Sequence, residues 1–172
     1  MADFPIVDDN WKDGVMQRLM LVVWTLVGIG AFVAVASSAE DLVKIVKDRR
    51  ELMDDTVRPS AKLGGDMVKG KTAFDADKAA KAMIDISEVP DKYVTMFPAG
   101  TEFGAIPDSE ASPKIWEDFD GFKALAQKLK ETSKAAAAAA AAGKSEFAAA
   151  YDVMTKVCKD CHEGYRKKKK KS

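Results

Sequence analysis

Hydrophobic and polar residues follow a helical period in four stretches of the chain after residue 40, and no stretch alternates as a half-buried strand would. The first stretch begins near Glu40 and has a near-heptad stripe formed by Leu42, Val46, Arg49, Met53 and Thr56. Because proline and glycine disfavour helix interiors, Pro59 and then Gly64-Gly65 are expected to interrupt or bend this helix before Lys71.

The second predicted helix opens at Asp75 as its N-cap and stops at Pro90, with an apolar face formed by Ala79, Ala82, Met83 and Ile86. Residues 90–112 are rich in proline and glycine and predict a long crossing loop. The third helix starts with Ser112 as N-cap and Pro113 as first helical residue. Its predicted buried stripe is formed by Trp116, Phe119, Leu125 and Leu129.

The run Ala135–Ala142 extends the third helix to Gly143, since alanine is the best helix former. Ser145 is the expected cap of a fourth helix, whose stripe is Phe147, Tyr151, Met154, Cys158, His162 and Tyr165. About 130 residues in four amphipathic helices predict an all-α fold, an antiparallel four-helix bundle that forms one domain over residues 40–172.

Residues 1–39 predict an apolar leader. Leu19 to Ala36 contain no charge over 18 residues, Arg18 precedes them, and small residues follow, so we favour a signal peptide cleaved after Ala39. The acidic residues before Met16 suit an export signal poorly. Either Met16 is the true start, or the segment is an uncleaved anchor that associates with the membrane. In both cases the domain is exported, and the predicted location is the periplasm.

The composition argues against several classes of function. The 172 residues contain 27 Lys plus Arg against 27 Asp plus Glu, which argues against a uniformly basic nucleic-acid-binding protein. Two cysteines cannot form a four-cysteine metal site, and the single histidine, His162, excludes any mechanism that needs two. No acid/base pair or nucleophile constellation indicates an enzyme.

Cys158, Cys161 and His162 form a C-x-x-C-H motif, the pattern of covalent haem c attachment. Two thiols at this spacing reach the two vinyl groups of one porphyrin, and the adjacent histidine becomes an axial ligand of the iron. A thioredoxin-like site needs a βαβ context, a structural zinc site needs four ligands, and a disulfide leaves the histidine unexplained. The motif therefore predicts one haem c, attached outside the cytoplasm.

A single histidine rules out bis-histidine ligation within this chain, so the sixth position of the iron holds a methionine or another side chain, or stays open. The methionines of the predicted domain are Met53, Met67, Met83, Met96 and Met154. Met154 shares a helix with His162 and would lie on the same side of the porphyrin. Met53 lies on the first stripe, four residues after Arg49, although core packing is the ordinary role of any one methionine.

Several segments in register resemble one known family over residues 40–171. They are the C-terminal C-x-x-C-H with Gly164-Tyr165-Arg166-Lys167, Pro113-Lys114-Ile115-Trp116, Phe97-Pro98-Ala99-Gly100-Thr101, Arg49-Arg50-Glu51-Leu52-Met53 and Val68-Lys69-Gly70. In these segments the chain resembles the cytochrome c′ and cytochrome c-556 family. The resemblance implies a four-helix bundle whose last helix binds the haem and whose first helix covers it.

The resemblance implies one of two coordination states for the iron, and one residue of the first helix distinguishes them. In the five-coordinate c′ branch the first-helix residue above the iron is an apolar side chain that does not ligate, whereas in the low-spin c-556 branch a methionine near that place does. Met53 falls there, which favours it as the sixth ligand. Arg49 matches the family's first-helix arginine and is expected either to pair with a haem propionate or to be a surface arginine. Arg166 matches an arginine near the proximal histidine, or is a helix-terminal cation.

The predicted function is a periplasmic single-electron carrier with a His/Met low-spin haem, and the alternative is a five-coordinate protein that binds NO or CO. A membrane-anchored subunit of a larger redox complex is a third reading. Lys167–Lys171 are either a solvated tail or a basic patch that steers docking to an acidic redox partner or an anionic membrane. The resemblance also implies a homodimer formed through the first two helices.

Overall fold

The computed structural model describes residues 38–167. The leader before Ser38 and the lysines after Lys167 lie outside the described residues. The helices are α1 (Ala39–Glu51), a π-helical segment (Leu52–Val57), α2 (Arg58–Val68), α3 (Ala76–Tyr93), α4 (Lys114–Glu117), α5 (Phe119–Ala140) and α6 (Lys144–Tyr165). Between residues 38 and 167, extended pairing is limited to two isolated bridges, Phe103 with Ile106 and Ala111 with Arg166. No helix in this range is long and apolar enough to cross a membrane.

The predicted four-helix bundle is confirmed. The continuous helix from α1 to α2 packs on α3, α3 packs on α5, α5 on α6, and α2 closes the ring against α6. Burial of apolar side chains drives this association, because each helix covers its own stripe against its neighbours. The central core contains Met67, Met83, Ile86, Phe147 and Met154, with the small side chains Ala136, Ala137 and Ala140 between them.

The first helix is not broken where its sequence suggested. It begins at Ala39, capped by Ser38 and Asp41, and runs without interruption to Val68. Its irregularity lies just before Pro59, where the N–H of Arg58 donates to the carbonyl of Met53, five residues back. This i to i−5 pattern defines a wide, π-helical turn.

The second predicted helix begins as expected, since the Asp75 side chain accepts a hydrogen bond from the Lys78 N–H and caps α3. The prediction that it stops at Pro90 is wrong, because α3 continues to Tyr93 and Pro90 is buried within it. A proline this close to a helix end removes one hydrogen bond, and packing of the buried ring compensates.

The third predicted helix is two helices. The Ser112 hydroxyl accepts a hydrogen bond from the Lys114 N–H at the start of the short α4. Asp118 leaves helical geometry at φ −138° and ψ 58°, and its carboxylate caps α5 through the Gly121 N–H. The break turns Phe119 outward, where it is 38% exposed, although it was predicted to be buried. Ile115 and Phe122 take the buried positions instead.

The alanine run ends α5 at Ala140, close to the predicted end. Ser145 is not the cap of the last helix, which begins at Lys144 directly after Gly143. Gly143 has φ +121°, a conformation open mainly to glycine. It completes the tight turn between α5 and α6, so the helix starts before Ser145 can cap it.

The predicted long loop spans the residues between α3 and α4 and is tied to the end of α6. The Ser112 N–H donates to the Tyr165 carbonyl at 3.0 Å, and the Lys167 N–H donates to the Glu110 carbonyl at 2.8 Å. Beneath it lies an aromatic cluster whose rings belong to Tyr93, Phe97, Phe122 and Tyr165. The loop therefore closes one end of the bundle.

Gly64→Ala is expected to lower the free energy of unfolding by about 1–2 kcal/mol, because overpacking outweighs the gain in helix propensity. A methyl group at Gly64 would stand 2.8 Å from Cε2 of Tyr151. At Gly164, also helical, it would meet no atom within 4 Å, so Gly164→Ala serves as the matched control. Chemical denaturation followed by circular dichroism measures both variants, and equal stabilities would contradict the packing argument.

Tyr165→Phe is expected to destabilise the protein most near neutral pH. The Tyr165 hydroxyl donates to the Asp118 carboxylate at 2.6 Å, which lowers the pKa of Asp118 and raises the pKa of Tyr165 to about 12. A lowered carboxyl pKa stabilises the fold above its unfolded value of about 4 and less as pH falls through the folded value. The raised tyrosine pKa stabilises it below about 10 and less as pH rises toward 12.

The loss caused by Tyr165→Phe should therefore shrink below about pH 4 and above about pH 10, as measured by denaturation at a series of pH values. Tyr151→Phe is the control, because the Tyr151 hydroxyl donates to a neutral carbonyl, that of Ala61. Its effect should not change in the acid range. Equal acid dependence in the two variants would show that Asp118 is not responsible.

Candidate haem-binding site

One cavity of about 550 Å³ collects all six residues that the sequence singled out, which are Arg49, Met53, Cys158, Cys161, His162 and Arg166. The continuous first helix contributes one side of it and α6 contributes another, while the loop before α4 supplies Glu110 and Ala111. Cofactor sites commonly have volumes of about 300–1,000 Å³. The cavity is therefore of a size that suits a cofactor.

The two cysteines of α6 are partly buried free thiols that line this cavity together with His162. Burial raises the pKa of Cys158, and it raises the pKa of Cys161 to about 11. The Cys158 thiol donates to the thioether sulfur of Met154 at 3.6 Å. The free thiols are therefore neutral, which disfavours nucleophilic thiolate chemistry, and a thioether bond to a porphyrin likewise leaves the sulfur uncharged.

The donor set fits a haem c. The motif supplies two thiols and an imidazole on one wall of a cavity whose other walls include Val57, Phe97, Ile115 and Phe122. Within residues 38–167, no three His, Cys, Asp or Glu side chains cluster in a way that would hold a bare metal ion. Cys158 and Cys161 would hold the porphyrin covalently, and His162 would hold the iron.

Met53 is the one methionine in the described part of the chain that lines the cavity. Met67, Met83 and Met154 are fully buried in the central core, and Met96 is a buried residue of the long loop. Met53 is partly buried and belongs to the π-helical segment. It also borders a second, apolar hollow of about 30 Å³, which Tyr93, Leu129 and Cys161 help to line.

Arg49 is buried, with 4% of its surface exposed. Of the two expectations for this residue, that of a surface arginine is therefore wrong. Its guanidinium donates to the Thr101 hydroxyl at 3.1 Å and carbonyl at 2.6 Å, to the Ser109 hydroxyl at 2.7 Å and to the Met96 carbonyl at 3.3 Å. It also lies 4.7 Å from the centroid of the Phe97 ring. Burial lowers the pKa of Arg49, and all four of these acceptors are neutral. The side chain fastens the long loop to α1 at the cavity wall.

Arg166 follows the last residue of α6 and has an extended backbone. Its Nε and Nη2 atoms contact Oε2 of Glu110 at 2.6 and 2.5 Å. Arg166 lies both at the helix end and in the cavity wall, so its position is consistent with a helix-terminal cation and with the arginine near the proximal histidine. Sequence reasoning missed Glu110, because an isolated acid in a loop has no periodic signal.

Tyr93 also lines the cavity and was missed. Burial raises the pKa of Tyr93 to about 12, so the phenol stays neutral. A signal existed in the sequence: had the second helix been continued past Pro90, Tyr93 would have followed Ile86 and Val89 on the buried face.

Known proteins resemble this chain over most of its length. The family model described as Cytochrome C′ matches residues 44–166. The chain is 36% identical over 142 residues to cytochrome c-554 of Cereibacter sphaeroides, covering 80% of this chain and 90% of that protein. It is 38% identical over 101 residues to cytochrome c-556 of Agrobacterium tumefaciens, covering 59% of this chain and 80% of that protein.

Solved structures of cytochromes c′ are similar to this chain in fold. Cytochrome c′ from Rhodopseudomonas palustris superimposes with a TM-score of 0.67 at 29% identity, covering 73% of this chain and 97% of that one. The nitric oxide complex of a leucine-to-valine variant of cytochrome c prime from Alcaligenes xylosoxidans gives a TM-score of 0.61 at 28% identity, covering 77% and 99%. The chain belongs to the cytochrome c′ family, whose members are c-type cytochromes with one covalently bound haem c.

Proposed function

We propose that this protein is a single-electron carrier whose haem c is attached through Cys158 and Cys161 and whose iron is ligated by His162 and Met53. The observation that carries the proposal is the cavity itself, since His162 and Met53 both line it and the other methionines of residues 38–167 do not. The relatives named cytochrome c-554 and cytochrome c-556 support the same reading.

When bound, the haem supplies a one-electron iron couple, whose potential is higher with a thioether and an imidazole than with two imidazoles. The chain contributes rigidity and a dry environment. Phe97, Ile115 and Phe122 are buried where they line the cavity, and the loop is fastened to α1 by Arg49 and to α6 by Glu110. A wall fixed in this way moves little when charge changes inside it, which favours fast electron exchange.

The proposed location is the periplasm, because haem is attached to C-x-x-C-H motifs outside the cytoplasm. The cavity is bordered by basic side chains on the first helix, which are Arg50, Arg58, Lys62 and Lys69, against the acids Asp54, Asp66 and Glu110. Arg58 pairs with Asp54 and Lys62 pairs with Asp66, so Lys69 and the lysines that follow Arg166 are the charges that support docking of an acidic redox partner. For a homodimer through the first two helices, Val43 and Ile84 are the exposed apolar side chains that contact would cover.

The second candidate function is binding of NO or CO at an open iron position. Two observations favour it. A similar solved structure is a nitric oxide complex, and Met53 also borders the apolar hollow of about 30 Å³ beside the cavity, so it has apolar neighbours to pack against. In that case Met53 packs and does not ligate, and the protein binds gas instead of only passing electrons.

Met53→Leu separates the two functions, because leucine keeps the side-chain volume and removes the thioether. The wild-type holoprotein is expected to have a sharp low-spin spectrum that carbon monoxide does not change. The variant should become high-spin and bind carbon monoxide when reduced, with a lower reduction potential. Absorption spectroscopy measures this, and the matched control Met83→Leu in the core should keep the wild-type spectrum. A wild type that is itself high-spin and binds carbon monoxide would overturn Met/His ligation.

Docking through the basic border predicts charge-selective kinetics. The reduced holoprotein should be oxidised faster by an anionic complex such as ferricyanide than by a cationic cobalt complex of similar driving force. Added salt should reduce the difference, because the Debye length falls from about 30 Å at 0.01 M to about 10 Å at 0.1 M. Stopped-flow measurement of the oxidation rates of wild type and Lys69→Gln tests whether the preference for the anionic reagent depends on this border. Oxidation rates that do not change with ionic strength for either reagent would argue against the basic border as a docking face.

A further inference from the structure

Every fourth position of the continuous first helix, from Arg49 to Lys69, lines the cavity. The residues in this register are Arg49, Met53, Val57, Ala61, Gly65 and Lys69. A regular α-helix has 3.6 residues per turn, so such a row drifts around the helix by about 40° per step, or about 200° from Arg49 to Lys69. A regular helix would therefore turn one end of this row away from the cavity.

The π-helical segment Leu52–Val57 corrects this drift. The hydrogen bond from the Arg58 N–H to the Met53 carbonyl spans five residues, so the wide turn takes up one more residue than an α-helical turn. One residue corresponds to about 100° of rotation, which is half of the drift. Met53 lies within the wide turn, and the correction keeps it on the same wall as Ala61 and Gly65.

Contacts on both sides of the wide turn fix the two halves of the helix. On the N-terminal side, Arg49 makes four hydrogen bonds to the long loop. On the C-terminal side, Gly64 and Gly65 are buried against Tyr151, whose hydroxyl donates to the Ala61 carbonyl at 2.6 Å. Rotation of either half about the helix axis would strain these contacts, so the contacts and the wide turn support each other.

Pro59 follows the wide turn directly and gives it a local cause. Proline has no N–H, and in a regular helix its ring collides with the carbonyl four residues back, here that of Asp55. A widened turn before the proline relieves this collision. Pro90 shows the contrast, because its ring is buried and α3 remains α-helical around it, so a proline alone does not impose a wide turn. At Pro59 the proline acts together with the contacts that fix the helix on both sides of the turn.

We propose that Pro59 is a positioning residue for Met53: it holds the wide turn that presents the Met53 thioether to the cavity. The inference rests on the proposed function, because the ligand role of Met53 belongs to that proposal. Pro59 itself is exposed and acts only through the helix.

The test compares three variants as reduced holoproteins titrated with carbon monoxide. Pro59→Ala lets the turn return to α-helical hydrogen bonding, which rotates Met53 by about 100° relative to Gly65. The variant should then be half-saturated at a carbon monoxide concentration at least about tenfold below the highest one at which wild type still shows no change, as expected when a competing ligand loses most of its occupancy. Ser60→Ala, the neighbouring control, should match wild type.

The third variant combines Pro59→Ala with deletion of the exposed Asp55. The deletion removes the additional residue, so a regular α-helix again brings Met53 and Gly65 to one wall. We expect this variant to regain the wild-type low-spin spectrum and its resistance to carbon monoxide. A rescue of this kind cannot come from a general loss of stability, which a deletion would increase.

The outcomes separate the inference from the proposed function. If Met53→Leu leaves the spectrum unchanged, Met53 is not a ligand and both fall. If Met53→Leu changes the spectrum while Pro59→Ala does not, the proposed function stands and the positioning role of Pro59 is overturned. Failure of the deletion to restore the spectrum also overturns it. Circular dichroism on each variant checks that the helices are intact.

Discussion

The buried guanidinium of Arg49 is the contact on which the cavity depends. A charged group taken out of water is unfavourable unless its donors find acceptors, and the long loop supplies four of them. The loop in turn is held to the end of α6 by the pair between Glu110 and Arg166 and by the backbone bond from Ser112 to Tyr165. α1, the loop and α6 thus form a closed frame around the space between the first and last helices.

This frame also sets the electrostatics of the site. Burial keeps the Tyr93 phenol neutral, since it raises the pKa of this group. The charge buried at the cavity wall is the cation of Arg49, whose four acceptors are neutral. A positive charge in a medium of low dielectric constant stabilises an added electron nearby. With the haem attached as proposed, the wall would therefore favour its reduced state, in the same direction as a thioether ligand does.

The sequence predicts the parts of this molecule that depend on local chemistry. The spacing of Cys158, Cys161 and His162 identifies the haem motif, and Asp75 was recognised as a cap because its side chain satisfies a nearby N–H. What could not be predicted depends on tertiary contacts. Pro90 stays inside α3 because its ring is buried, and Glu110 matters because folding brings Arg166 to it. The wide turn also depends on tertiary contacts. Pro59 predicts an interruption or bend in the first helix, but only the packing of Tyr151 on Gly64 and Gly65 shows why the helix continues beyond it.

The proposed function and its alternative differ in whether Met53 ligates the haem iron. Met53 borders both the large cavity and the apolar hollow beside it, and it belongs to the turn with the least regular hydrogen bonding in the first helix. On this proposal, a change in that turn would alter which of the two spaces the thioether occupies, and Val57 is the residue of the turn that packs against the core around Met83 and Phe147. The proposal thus places the difference between electron transfer and gas binding in the six residues Leu52–Val57, within a four-helix packing that is common to both functions.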